Sequence, residues 1–135
     1  TDKRLAIFGF SFKANTNDTR ESPSKFICKK LLEEGSKLAI YDPKVSPEQI
    51  KKDLLDENHP QDKDNLEICA NQKEAATGAD AIIVLTEWEE FKNIDWESIS
   101  NLMRSPSWLF DTRSVCNIYE AKALGINVWS LGFGK

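Results

Sequence analysis

The chain has 135 residues, 40% hydrophobic and 30% charged, a composition typical of one soluble globular domain with its own core. Its net charge of −4 and its scattered basic residues disfavour a nucleic-acid partner, and no apolar run reaches the ~20 residues of a transmembrane helix. The three widely spaced cysteines and the single histidine disfavour a disulfide framework and a metal site, so we expect a cytoplasmic protein without membrane, nucleic-acid or metal partners.

The first predicted element is a buried strand at 5–10, where Leu-Ala-Ile-Phe-Gly-Phe forms a continuous apolar run. The mostly polar residues that follow, up to Arg20, are typical of a loop. A helix is predicted next, because Ser22 is a good N-cap, Pro23 suits the first helical position and Gly35 marks a helix end.

The rest of the chain alternates short strands with short helices. Apolar runs predict five further strands, at 38–41, 66–69, 81–85, 108–110 and 126–131. Helices are predicted between them, at 47–55, 73–77, 96–103 and 118–124. The polar residues at 58–64 are predicted to form a mobile loop.

This alternation predicts a parallel sheet. Strands joined through helices pair in parallel by right-handed crossovers, which gives an α/β, three-layer, Rossmann-like sandwich. Six strands suggest the order 3-2-1-4-5-6, with the reversal between the first and fourth strands. Ligands of such sheets bind beyond the carboxyl ends of the strands, where the strand order reverses. The segments predicted to form the binding site are therefore 9–20, 86–88 and 111–113.

Three cations in these segments are predicted to meet at one edge of the sheet: Lys13, Arg20 and Arg113. Such a cluster suits a phosphorylated anion, which an arginine can hold with two hydrogen bonds. The alternative is structural pairing with a nearby acid, namely Asp18, Glu21 or Asp111. A standard dinucleotide pocket is not expected, because the first segment has one glycine instead of Gly-x-Gly-x-x-Gly.

A closer resemblance rests on motifs that follow one another in a fixed order. They are Gly-Phe-Ser-Phe-Lys at 9–13, Asn-Thr-Asn-Asp-Thr-Arg-Glu-Ser-Pro at 15–23, Tyr-Asp-Pro-Lys-Val at 41–45, Leu-Thr-Glu-Trp-Glu-Glu-Phe at 85–91 and Phe-Asp-Thr-Arg at 110–113. Together they resemble the C-terminal domain of the UDP-glucose/GDP-mannose dehydrogenase family over nearly the whole chain. The Leu-Thr-Glu-Trp run favours members that oxidise UDP-glucose, and the insertion after 45 is similar to the animal form.

The resemblance implies that 1–135 is a nucleotide-sugar (UDP)-binding domain of an enzyme that converts UDP-glucose to UDP-glucuronate with two NAD⁺. Phe12, Lys13 and Arg113 would bind the UDP-sugar. Arg20 would contact NAD, which the rest of the enzyme chain would hold for the most part, and the full-length enzyme would be a homo-oligomer. The family usually has Gly where Thr112 stands, so the backbone beside Arg113 is expected to be less permissive.

The catalytic parts of the family, its glycine-rich loop and its nucleophilic cysteine, have no counterpart in this sequence. Cys28, Cys69 and Cys116 are interpreted as small buried residues, so no catalytic residue is assigned and the fragment alone is predicted to be inactive. Two alternatives stay open. One is a non-catalytic nucleotide-sugar-binding or assembly module, and the other is the equivalent domain of a GDP-mannose or UDP-N-acetylmannosamine dehydrogenase.

Four further residues are interpreted as structural. Asp42 occupies a place where dinucleotide folds carry a ribose-binding acid, but Pro43 favours a turn. Trp88 either lines the cleft or packs under the sheet edge, and the second interpretation is preferred. Trp96 and Trp108 are interpreted as packing residues.

Overall fold

The sheet is parallel and has the predicted topology. In the computed structural model, which describes residues 3–131, six strands pair in the order β3-β2-β1-β4-β5-β6. They are β1 Arg4–Phe8, β2 Lys37–Tyr41, β3 Leu66–Ile68, β4 Ala81–Val84, β5 Trp108–Asp111 and β6 Asn127–Ser130. The predicted α/β Rossmann-like sandwich is confirmed, while residues 1–2 and 132–135 of the predicted domain lie outside the described part.

Five α-helices connect the strands: α1 Pro23–Glu33, α2 Pro47–Leu54, α3 Gln72–Ala76, α4 Trp96–Leu102 and α5 Ile118–Ala123. Each begins after a Ser, Asn or Asp whose side chain accepts a backbone N–H of the first turn, and Ser22 does so for α1 as predicted. Such a cap typically stabilises a helix by about 1 kcal/mol. No helix within residues 3–131 is both long enough and apolar enough to cross a membrane.

Two apolar cores lie on opposite faces of the sheet. On one face α1 and α2 pack on the half formed by β1 to β3, with Leu32 and Ile40 among the buried side chains. On the other face α3, α4 and α5 contribute to a larger core that includes Ile82, Trp96 and Leu109. Trp96 is 1% exposed, which confirms its interpretation as a packing residue.

The segment between α2 and β3 differs from the mobile loop predicted at 58–64. It contains a 3₁₀ helix over Pro60–Asn65, in which the Asp62 N–H donates to the His59 carbonyl at 3.1 Å and Asp62 itself is buried. A second 3₁₀ helix, Glu89–Asn93, was not predicted. Because such helices are short and lack the 3.6-residue apolar period, composition gave no signal for either.

The turn that ends β1 requires a glycine. Gly9 has a φ of 98°, where L side chains are strained, and its N–H donates to the Tyr41 carbonyl at 2.8 Å. A Cβ at this position would lie 2.5 Å from the Thr86 Cβ. The segments that follow β1 and β4 therefore pack directly against each other at the carboxyl edge of the sheet.

Candidate functional site

An open cleft of ≈ 690 Å³ lies at the carboxyl edge of the sheet. It brings together the segments that follow β1, β4 and β5, as the topology predicted. The lining residues are Lys13, Ala14, Asn15, Glu87, Glu89, Lys92, Arg113, Ser114 and Val115. Lys13 and Arg113, separated by a hundred positions in the chain, thus face one shared hollow.

Among residues 3–131, two of the three cations that line this cleft pair with a carboxylate, and the third does not. Arg113 Nη2 lies 2.9 Å from Glu87 Oε1, and Lys92 Nζ lies 3.2 Å from Glu89 Oε1. Lys13 has no acidic oxygen within 4.0 Å in the described part of the chain. Three cations therefore face two carboxylates, and the excess positive charge resides on Lys13.

The contact between Arg113 and Glu87 is an ion pair without hydrogen-bonding geometry. Glu87 Oε1 is buried and has no hydrogen-bond partner among the described residues, although the Arg113 nitrogen is 2.9 Å away. Sequence reasoning placed Glu87 and Glu89 in the motif at 85–91 but assigned neither a partner, and it missed Lys92 altogether. The available signal was a carboxylate two residues after the strand predicted at 81–85.

A buried carboxylate fixes the backbone of the segment that carries Arg113. Asp111 is fully buried and accepts hydrogen bonds from the backbone N–H groups of Arg113, at 3.1 Å, and Cys116, at 2.8 Å. Thr112 Oγ1 donates to the Val84 carbonyl at 2.6 Å. The left-handed residue of this turn is Ser114, with a φ of 57°, and not Thr112. Replacement of the family's usual glycine is therefore sterically acceptable here.

The segment carrying Lys13 is fixed to its neighbours by hydroxyl groups. Ser11 Oγ donates to the Lys13 carbonyl at 2.8 Å, Thr86 Oγ1 donates to the Ser11 carbonyl at 3.0 Å, and Ser22 Oγ donates to the Phe10 carbonyl at 2.9 Å. These three hydroxyls are buried. The backbone that presents Lys13 is consequently rigid, while its side chain remains in solvent.

Asp42 and Trp88 have the structural roles that were preferred. Asp42 Oδ2 accepts from the Phe10 N–H at 2.7 Å and the Ser11 N–H at 3.1 Å. The Trp88 indole N–H donates to the same oxygen at 3.1 Å, and the ring is 7% exposed within the larger core. Asp42 Oδ1 accepts from two further backbone N–H groups of its own turn. These contacts tie β2 to the loop after β1.

Arg20 lies apart from Lys13 and Arg113. It lines a separate hollow of ≈ 300 Å³ together with Phe12, Asp18 and Glu21. The Arg20 guanidinium donates to both carboxylate oxygens of Asp18, at 3.1 and 2.9 Å, and these hydrogen bonds lower the pKa of Asp18 to about 2. The predicted meeting of three cations therefore holds for Lys13 and Arg113 and is wrong for Arg20, because the loop folds back, with the Phe12 N–H donating to the Asp18 carbonyl at 2.6 Å.

The start of α1 does not form the pyrophosphate site of dinucleotide folds. In such folds the free N–H groups of the helix face the phosphates. Here Ser22 Oγ already accepts the Ser24 N–H at 3.1 Å, and Pro23 has no N–H. Gly9 is packed against Thr86, so its turn offers no room for a phosphate. The residues of this domain do not fit a complete NAD pocket.

The three thiols are unsuited to nucleophilic chemistry. Burial raises the pKa of Cys28 and of Cys69 to about 12, and it also raises the pKa of Cys116, which is less buried than predicted. A raised pKa keeps a thiol protonated at pH 7, and the thiolate is the nucleophile. Their interpretation as packing residues is thus consistent with their surroundings.

Comparison with known proteins identifies the family. Residues 6–118 match the profile of the UDP-glucose/GDP-mannose dehydrogenase family, UDP binding domain. This chain belongs to that family. Its domain is 44% identical to the UDP-glucose 6-dehydrogenase of Gallus gallus over 140 residues and 42% identical to that of Caenorhabditis elegans over 133 residues, with 98% of the chain covered in each case. The chain spans 28% of the length of each of these two relatives.

Two solved dehydrogenase structures share the fold of the domain. The UDP-D-ManNAc dehydrogenase of Pyrococcus horikoshii is 25% identical, with a TM-score of 0.70, and covers 98% of this chain and 26% of its own. An NDP-N-acetyl-D-galactosaminuronic acid dehydrogenase from Methanosarcina mazei is 21% identical, with a TM-score of 0.78, over 97% of this chain and 25% of its own. At that identity the second likeness supports the fold alone.

Proposed function

We propose that this chain is the nucleotide-sugar-binding part of an NAD-dependent UDP-glucose 6-dehydrogenase, an enzyme that oxidises UDP-glucose to UDP-glucuronate. One observation carries the proposal: Lys13 and Arg113, the two cations that the family motifs assign to the substrate, line the same cleft. The similarity of 42–44% to animal UDP-glucose 6-dehydrogenases supports UDP-glucose over other nucleotide sugars.

The charges of the cleft suit a diphosphate. Lys13 provides a point charge with no acidic oxygen within 4.0 Å among residues 3–131, and Arg113 provides a planar group that can donate two parallel hydrogen bonds to phosphate oxygens. Glu87 holds Arg113 by charge alone, without a hydrogen bond at Oε1, so the guanidinium keeps its donors for a ligand. We assign the pyrophosphate to this pair of cations.

The second hollow suits a contact with another ligand. Arg20 is highly exposed, and its hydrogen bonds to Asp18 fix the plane of the guanidinium. We propose that it contacts NAD held by the part of the enzyme that this chain lacks, where NAD supplies the hydride acceptor. Phe12 is 43% exposed, and its ring would form the wall along a UDP-sugar that extends from the cleft towards this hollow.

Titration calorimetry of the chain with UDP-glucose, UDP and GDP-mannose tests the proposed function. We expect UDP-glucose and UDP to bind and GDP-mannose to bind at least about tenfold more weakly. Lys13→Ala and Arg113→Ala should each weaken UDP binding by about 10- to 100-fold, because a charge-assisted hydrogen bond contributes about 1.5–3 kcal/mol. Lys51→Ala, which removes an exposed lysine of α2, is the matched control and should leave the affinity unchanged.

Two results would favour the alternatives. Equal binding of GDP-mannose would point to a dehydrogenase of another nucleotide sugar. Absence of binding by all three ligands would favour a module whose role is assembly.

We further propose that the complete enzyme is a cytoplasmic homo-oligomer and that its UDP-glucuronate serves glycosaminoglycan biosynthesis. Sedimentation of the complete enzyme tests the assembly.

A further inference from the structure

One half of the sheet has an exposed aromatic face. Trp108 on β5 and Trp129 on β6 are each 41% exposed, and the rings of Trp108 and Phe110 stack at 5.5 Å with 11° between their planes. The interpretation of Trp108 as a packing residue is therefore only half right, since it packs on its neighbour and is open to solvent on the other side. An exposed ring of this size on an inner strand such as β5 is unusual.

The strand register places these side chains on one face. Phe110 pairs with Ile83 of β4 and with Trp129 of β6, and residues directly opposite each other point to the same side of a sheet. Trp108 is two residues before Phe110 and shares that side. Trp108, Phe110 and Trp129 thus form a continuous patch, which we call the aromatic face. Ile83 packs on the core that α1 and α2 cover and marks the inner border of this patch.

The helices leave the aromatic face uncovered. α3, α4 and α5 all pack on the opposite side of the sheet, where Leu109 and Val128 alternate with the residues of the patch. α1 and α2 share the side of the patch, but their core takes no residue from β5 or β6 in the described part of the chain. Parallel sheets are found almost exclusively with both faces covered. Half of this sheet therefore lacks one of its two layers.

We propose that the aromatic face is the docking surface for the remaining part of the dehydrogenase polypeptide. The occupant follows from length: the chain spans 28% of each animal relative, so most of such a polypeptide lies outside it and must be attached somewhere on this domain. The cleft with Lys13 and Arg113 is at the carboxyl edge, and no residue of the aromatic face lines it. This inference rests on the proposed function, because it takes the chain to be part of that larger enzyme.

Substitutions in two contexts test the docking surface. Trp108→Ser and Trp129→Ser are made in this chain and in the complete dehydrogenase that contains it. In the complete enzyme the rings would be buried, so each change should lower the Tm by roughly 5–10 °C and weaken dehydrogenase activity. In this chain alone the rings are already 41% exposed and lose only their partial packing, so the Tm should fall by no more than roughly half as much. Tyr119→Ser is the matched control, since Tyr119 is 70% exposed on α5, and it should be neutral in both contexts.

Quenching of tryptophan fluorescence by acrylamide provides an independent readout. Trp88 and Trp96 are buried, so quenching in this chain reports mainly Trp108 and Trp129 and should fall severalfold in the complete enzyme. Equal quenching in both contexts, or neutral substitutions in both, overturns the proposal. So does a dimer of this chain that Trp129→Ser converts to monomers, because a second copy would then be the occupant. Retained UDP-glucose binding by the variants separates these outcomes from failure of the proposed function.

Discussion

Gly9→Ala is expected to lower the free energy of unfolding by about 2–6 kcal/mol. Two costs add at this position. An L residue at a φ of 98° is strained by about 1–3 kcal/mol, and the new methyl group would lie 2.5 Å from the Thr86 Cβ and 2.8 Å from the Thr86 backbone nitrogen. Relieving such a contact by shifting backbone costs about another 1–3 kcal/mol. Urea unfolding followed by circular dichroism measures the loss.

Gly35→Ala separates the two costs. Gly35 follows α1 with a φ of 87°, but nothing lies within 4 Å of a Cβ built there. Only the conformational cost of about 1–2 kcal/mol applies to it. If the two substitutions destabilise the protein equally, the close packing of Gly9 on Thr86 is not a feature of the molecule in solution.

Asp42→Ala is expected to destabilise the domain by about 3–5 kcal/mol. Its carboxylate accepts five hydrogen bonds, from the backbone N–H groups of Phe10, Ser11, Lys44 and Val45 and from the Trp88 indole. Removal leaves these donors without a partner, and each buried one costs about 1–3 kcal/mol unless water replaces the oxygen. Urea unfolding gives the total loss, and amide exchange at Phe10 and Ser11 should quicken more than exchange in α5.

The outcome of Asp42→Ala is judged against an exposed acid. Asp64→Ala removes the same charge from the surface of the 3₁₀ helix before β3 and should change stability by no more than about 0.5 kcal/mol. A comparable small effect for Asp42→Ala would show that the loop after β1 does not depend on β2. UDP binding would then also be expected to survive the change.

Much of the fold could be predicted because local and global signals agree. The apolar runs at β1 and β4 are too continuous for anything but buried strands, and Ser22 with Pro23 fixes the start of α1. Right-handed crossovers and the number of strands then suggest the strand order. The 3₁₀ helices escaped prediction because their residues are held by local backbone hydrogen bonds, which leave no apolar period.

The candidate site could be predicted in outline but not in detail. Topology alone brings the ends of β1 and β5 to one edge, which is why Lys13 and Arg113 share a cleft. The position of Arg20 depends on how the loop after β1 folds back, which a few hydrogen bonds of Asp18 determine. The spacing of residues in the sequence does not predict these hydrogen bonds. The pairing of Glu87 with Arg113 depends on side-chain conformation.

The exposure of Trp108 escaped prediction for a different reason. Its sequence neighbourhood is that of a buried parallel strand, and the alternation along β5 buries Leu109 while leaving Trp108 open. A sequence reading assumes that both faces of such a strand are covered. If the docking proposal is right, both faces of β5 are covered in the complete enzyme. Trp108 is then a side chain that becomes buried only when this domain contacts the rest of the polypeptide.

The central claim is that Lys13 and Arg113 receive one diphosphate, and an NMR titration of the ¹⁵N-labelled chain with UDP-glucose tests it most directly. Amide signals of 11–14 and of 112–114 should shift together, with one saturation curve, and Lys13→Ala should abolish the shifts at both segments. Shifts confined to one segment, or centred on Arg20 and Asp18, would contradict the claim.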